Sequence, residues 1–253
     1  MIRIVPAIDL IGGRCVRLTR GDYATKKVYD ASPVETARRY ADCGVQRIHL
    51  VDLDGAKASR PCNLSVLEQI AAAVSCELEW GGGIASSEDL ARVFDAGASH
   101  AIIGSVAALQ PERFEEWLSR WGSRMILGAD VRQTEGRWRV AVKGWQEEAP
   151  LSLEDLLKRF GGEGGALREA IVTDIGRDGM LQGPTTGLYV QLQAAFPQVT
   201  FTVSGGVSSM DDIRALDAAG LQKAIVGKAL YENRITLKDI ALWSQKESYP
   251  ASM

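Results

Sequence analysis

Eight short apolar runs recur along the chain, at residues 2–9, 47–52, 77–80, 101–104, 125–130, 170–174, 200–204 and 224–227. They are rich in isoleucine and valine and barely alternate, the pattern of strands buried on both faces. Amphipathic stretches with helix signals lie between them. Ser32-Pro33-Val34-Glu35 combines an N-cap, a proline at the first helical position and a glutamate at the third. Asn63 and Ser87 are read as caps of the second and third helices, Pro111 as the opening of the fourth, and Ser152 as the lead into the fifth. Gly44, Gly97 and Gly220 follow helices where a left-handed residue ends the last turn. Eight strand–helix units in 253 residues make about 31 residues each, a normal length for a repeating βαβ unit. The expected fold is α/β: one (β/α)8 TIM barrel over residues 1–253.

A coarser repeat overlies this one. Asp9 is followed by Gly12-Gly13-Arg14, and Asp130 by Glu135-Gly136-Arg137. Gly81-Gly82-Gly83-Ile84 matches Ser204-Gly205-Gly206-Val207, and Ile103-Gly104-Ser105 matches Val226-Gly227-Lys228. Each pair is offset by roughly 120 residues, in the same order, so the barrel reads as two similar halves, about 1–122 and 123–247. Residues 248–253 are expected to form a frayed tail.

Composition narrows the function. The 29 basic and 32 acidic side chains leave a net charge of −3, with no global basic field to hold nucleic acid. An anionic ligand must be gripped locally. Cys15, Cys43, Cys62 and Cys76 are spaced neither as a metal knuckle nor as a redox pair, and with only His49 and His100 no metal site is expected. They are read as reduced thiols of a cytoplasmic protein. The N-terminal run is cut by Asp9 too early for a signal peptide, and no window is long enough to span a membrane, so no membrane partner is expected.

In a barrel of this kind the chemistry sits at the C-terminal ends of the strands. A phosphate needs converging backbone N–H groups, which glycine lets approach closely. Gly205 and Gly206 with Gly227 and Lys228 fit such a site, with Ser208 and Ser209 as further donors. By the internal repeat, Gly82 and Gly83 with Gly104 and Ser105 form a second one across the mouth. Two such sites point to a small molecule with a phosphate at each end. Between them stand Asp9 and Asp130, a carboxylate pair suited to acid–base work if their environments split their pKa values. Asp174, beside Thr173, is a third candidate carboxylate. Both histidines are read as packing residues, and Cys15 has no histidine partner. The first loop carries Arg14, Arg17, Arg20, Gly21, Asp22 and Tyr23. The fifth alternates from Arg137 to Trp145 as a small hairpin, with Trp145 available to stack on a planar ligand.

These segments are recognisable together. AIDLIGGRCVRLTRGDY, HLVDLDGAK, WGGGI, IIGS, VKGW, TDIGRDGMLQGP, SGGVSSMDDI and AIVGKAL resemble the ProFAR isomerase family of histidine biosynthesis, in order and over essentially the whole chain. The resemblance implies an Amadori rearrangement of an aminoaldose to an aminoketose, without cofactor. It implies Asp9 as the base that moves the proton, Asp130 or Asp174 as the acid, Thr173 as a supporting hydroxyl, Arg17 as a substrate contact and Trp145 as a stacking ring. A monomer is expected. Ala85 stands where the family often has arginine, Met180 where it usually has threonine, and Cys62 where it usually has an aliphatic residue. Three other readings compete: a bifunctional relative that also isomerises phosphoribosylanthranilate, a cyclase that works with a glutaminase subunit, and a non-catalytic bisphosphate-binding regulatory barrel. Lys143 in place of arginine opposes the first, and Ala7-Ile8-Asp9-Leu10 opposes the second. The retained carboxylates oppose the third.

Overall fold

The structure is a computed structural model that describes residues 1–19, 22–29 and 31–248. Arg20 and Gly21 of the first loop and the expected tail from 249 to 253 lie outside the described residues; Ser248 ends the last helix, Leu237–Ser248.

Strands β1 (Arg3–Ile11), β2 (Arg47–Asp52), β3 (Glu77–Gly81), β4 (His100–Ile103), β5 (Met125–Thr134), β6 (Glu169–Asp174), β7 (Thr200–Ser204) and β8 (Lys223–Val226) pair in parallel in chain order. The pairing of β8 with β1 closes the barrel, with helices on its outside. This is the (β/α)8 TIM barrel. Two strands outrun their sequence bounds. Beyond Asp9, β1 continues to pair with the antiparallel strand Arg14–Thr19, which in turn pairs with Asp22–Val28. Likewise β5 runs on past Asp130 to pair with the antiparallel strand Arg137–Val142, which in turn pairs with Glu147–Ser152; the alternation from Arg137 is thus one strand between two others and not a hairpin closed on itself. Asp22–Val28 is exposed throughout, so no burial pattern marks it as a strand. In both places an antiparallel partner supplies the hydrogen bonds that the barrel neighbours do not.

Two cores result. Between sheet and helices pack Trp80, Phe114, Trp117, Phe160 and Phe201, with Phe114 and Phe160 edge to face at 4.8 Å between centroids. Each such buried side chain contributes roughly 1.5–3 kcal/mol, so this outer layer dominates stability. Inside the barrel, Val5, Ala7, Ile126, Ile171 and Ile225 form a small apolar plug beneath the mouth.

Helix starts mostly follow the sequence signals. Ser32 accepts from Glu35 N at 3.1 Å, and Ser152 forms a capping box with Asp155. Two caps are corrected. The third main helix is capped by Ser86, not Ser87, because Ser86 has Asp89 three residues on to complete a capping box; Ser87 instead accepts from Trp117 Nε1 at 2.9 Å. Asn63 makes no capping bond, since its amide is engaged by Gly13 N, Asp52 and Asp54. Among the described residues no helix is long and apolar enough to cross a membrane.

Candidate active site

A cavity of about 620 Å³ opens at the C-terminal ends of the strands. Its walls bring together Asp9, Arg17, Asp130, Trp145 and Thr173, with Gly82, Gly83, Gly104 and Ser105 near β3 and β4 and Gly205, Gly206, Gly227 and Lys228 near β7 and β8. In an eight-strand barrel β1 faces β5 and the third and fourth strands face the seventh and eighth. The two carboxylates therefore oppose each other, and the two glycine sets do the same on the perpendicular diameter.

The glycines are set by contacts within the protein. Gly82 has φ +101°, and a Cβ there would collide with the Asp52 carbonyl; Gly206 has φ +88°, and its Cβ would collide with the Gly183 carbonyl. A side chain at either place is excluded by both strain and space. Gly227 has ordinary φ, but any Cβ would strike the Arg17 guanidinium. Lys228 Nζ donates to the Gly179 carbonyl at 2.8 Å and so ties the loop after β6 to the start of the last barrel segment. Ser208 and Ser209 lie off the cavity wall. Ser208 Oγ donates to Asp212 at 2.7 Å, the Ser208 and Ser209 N–H groups donate to the same carboxylate, and Ser209 Oγ accepts from Asp212 N, so both serines serve the start of the next helix.

The carboxylates occupy unlike environments. Asp9 accepts from Arg17 NH1 at 2.6 Å, an ion pair. The guanidinium's pKa is raised although burial opposes this, because the Asp9 charge outweighs it. Asp130 is pushed up by burial, which hydrogen bonds from Trp145 and Thr173 and the nearby His49 only partly offset. Trp145 Nε1 donates to Asp130 Oδ2 at 2.7 Å, and Thr173 Oγ1 lies 3.2 Å from Ser204 Oγ. One acid is thus biased toward its protonated form while the other is held as an ion pair. Those are the two roles that acid–base catalysis requires.

Asp174 is the correction. It is buried and absent from the cavity wall: Oδ1 accepts from Gly176 N at 2.9 Å and Oδ2 from Thr185 Oγ1 at 2.6 Å, so the carboxylate braces its own loop. In its place the wall carries Asp178. The N–H groups of Arg177 and Asp178 both donate to the Asp174 carbonyl, and that tight turn carries Asp178 back over the mouth. Burial raises its pKa to about 6, against the opposing Arg17 charge, with Asp9 and Asp130 adding to the rise. The sequence reading missed it because it favours strand ends, and Asp178 lies four residues past one. Its signal was the Arg177-Asp178-Gly179 turn. His49 and Ser204 also line the wall; His100 is half-buried, its Nε2 3.3 Å from Arg47. Cys15 is buried, its thiol pKa raised chiefly by burial, and it contacts Thr36.

Comparison with known proteins gives a consistent set of relatives. The family model described as "Histidine biosynthesis protein" matches residues 3–236. A relative from Cytophaga hutchinsonii is 48% identical over 242 residues, covering 95% of this chain and 98% of its own length. One from Bacteroides thetaiotaomicron is 47% identical over 244 residues (96% and 100%), and one from Flavobacterium psychrophilum is 42% identical over 240 (94% and 97%). All three carry the name 1-(5-phosphoribosyl)-5-((5-phosphoribosylamino)methylideneamino) imidazole-4-carboxamide isomerase.

Proposed function

The chain belongs to the histidine biosynthesis protein family, and from that premise we propose that it is the isomerase its relatives are named for. It converts ProFAR, the aminoaldose named in those relatives, to the corresponding aminoketose. The observation that carries this reading is one cavity lined by two opposed carboxylates, with a glycine set on either side of them. A substrate with a phosphoribosyl group at each end fits that cross: the glycine sets hold the phosphates, and the carboxylates meet the sugar between.

The roles follow from the environments. Asp130, biased toward its protonated form, gives a proton to the ribose ring oxygen as the C1–O bond breaks and the nitrogen lone pair forms C=N. Asp9 then takes the proton from C2 to give the enaminol, and the ketone forms as a proton is returned to C1 and the C2 hydroxyl proton leaves. The steps are redox-neutral and call for no cofactor. Thr173 supports Asp130, Arg17 holds Asp9 and contacts substrate, and Trp145 stacks over the ligand as part of a lid. The phosphate grips supply binding energy remote from the reacting bond. The four cysteines, none in a disulfide, support a cytoplasmic enzyme; we take it as a monomer without nucleic-acid or membrane partners.

The test is turnover of ProFAR by the purified chain, followed by chromatographic separation of the isomers, with phosphoribosylanthranilate in parallel. Conversion of ProFAR alone supports the reading. Comparable turnover of both makes it bifunctional, and tight binding without conversion of either removes catalysis from the proposal.

A further inference from the structure

Below the catalytic carboxylates, the barrel interior holds a layer of charge that the reaction as drawn does not use. Arg47 NH1 lies 3.1 Å from Glu79 Oε2 and 2.6 Å from Glu169 Oε1; its Nε donates to Glu77 at 2.9 Å, and Lys223 Nζ sits 2.7 Å from Glu169. A buried ion network is weak evidence for stability, since apolar side chains of similar volume serve as well or better. It therefore invites a functional explanation.

Glu79 is where the layer meets the cavity. It is 1% exposed and divides its two oxygens: Oε2 faces Arg47, while Oε1 lies 2.7 Å from Nδ1 of His49, its register partner on β2. Of these residues only His49 lines the cavity. Burial alone would raise the Glu79 pKa, yet the hydrogen bond from His49, with the Arg47 guanidinium beside it, brings it below the ordinary value. An ionised carboxylate only accepts, so the hydrogen of this contact belongs to Nδ1. In the neutral ring Nε2 is then the acceptor, the ring nitrogen that the contact with Glu79 leaves over.

We propose that Glu79 is a positioning residue for the isomerisation. It locks His49 in the Nδ1–H form, anchored through Arg47 to the barrel floor, so that Nε2 meets the substrate as a fixed acceptor for a sugar hydroxyl. The kinetic half of this inference rests on the isomerase reading; the tautomer half rests on geometry alone.

The experiment uses the full chain with 15N-labelled histidine, as wild type, Glu79→Gln and Glu79→Met. With two histidines in the sequence, His49→Asn assigns the signals. Long-range 1H–15N correlation above pH 8 should show Nδ1–H at His49 in the wild type and a shift toward Nε2–H in Glu79→Met, with Glu79→Gln between. With ProFAR, Glu79→Met should lower kcat roughly 10- to 100-fold, the scale of one well-placed hydrogen bond, and leave KM within about threefold. Glu79→Gln should recover part of that loss, and in a His49→Asn background the effect of Glu79→Met should vanish. An unchanged tautomer in Glu79→Met overturns the proposal, as does an equal loss without His49 or a change in KM alone. Should Glu79→Met fail to fold, Glu79→Gln carries both measurements. If the wild type does not turn over ProFAR, the isomerase reading falls, while the tautomer still judges the role of Glu79.

Discussion

Trp145 reaches Asp130 from a turn in which Lys143, Gly144 and Trp145 all have positive φ, at +53°, +65° and +70°, and its indole N–H closes on the carboxylate at 2.7 Å. Left-handed backbone at two non-glycine residues costs on the order of 1–2 kcal/mol each. The hairpin is held in that shape where it places an aromatic donor on the proposed acid. Trp145→Phe keeps a ring but removes the donor, and the lost bond lets the Asp130 pKa rise further. We expect kcat to fall about tenfold with KM within a few-fold, the size of one hydrogen bond. Trp145→Gly relieves the backbone but removes both donor and ring, so it should show the same fall in kcat together with a rise in KM. Steady-state kinetics of the two variants separate these contributions.

Asp9→Asn and Asp130→Asn should each reduce turnover by roughly 10²- to 10⁴-fold, the usual worth of a positioned acid or base, while product binding measured calorimetrically stays within a few-fold. Asp174→Asn is expected to behave differently. It loosens the bonds to Gly176 N and Thr185 and lowers stability by about 1–3 kcal/mol, seen as a drop in Tm. A loss of kcat in Asp174→Asn as large as in Asp130→Asn, without loss of Tm, would restore Asp174 to the chemistry.

Asp178 makes stability depend on pH in a definite direction. Its native pKa of about 6 lies above the ordinary 3.8, so the folded protein binds this proton more tightly than the unfolded chain does. That contribution is full below about pH 4 and is lost as pH rises through 6. Asp178→Asn carries no such charge. Its Tm should gain on wild type by several degrees between pH 4.5 and 7.5, on the basis of about 2–4 °C per kcal/mol for a chain of this size. A difference that is flat with pH rejects the assignment.

Gly227→Ala tests the link between the strand-eight glycine and the first loop. The added methyl falls where the Arg17 guanidinium lies, so Arg17 must leave Asp9. The expected outcome is a rise in KM of tenfold or more, together with a fall in kcat, in a protein whose Tm drops only modestly because Gly227 needs no left-handed φ. Gly82→Ala and Gly206→Ala meet backbone instead, and should reduce the yield of folded protein.

The apolar runs locate all eight strands because a strand buried on both faces must be apolar along its length, whatever its neighbours are. The same logic found the glycine sets and the opposed aspartates, since barrel geometry puts chemistry at strand ends. It failed where a loop leaves the barrel. The Arg177-Asp178-Gly179 turn marks a loop but not that the loop returns Asp178 to the mouth, and nothing local says that the Asn63 amide is drawn to Gly13 and Asp52 rather than to its own helix.

The amino-acid pattern by itself determined the barrel and the residue types available at its mouth, because burial periodicity and glycine placement are written within a few neighbours along the chain. Only the tertiary structure decided which of those residues act together. Arg17 meets Asp9 across a hairpin, Trp145 meets Asp130 over a left-handed turn, and Glu79 meets His49 between adjacent strands. Such contacts depend on where distant backbone carries each side chain, and charge then responds to burial and to those partners. That is why two aspartates alike in sequence have unlike surroundings, and why a third, four residues past a strand end, lines the cavity where the one at the strand end does not.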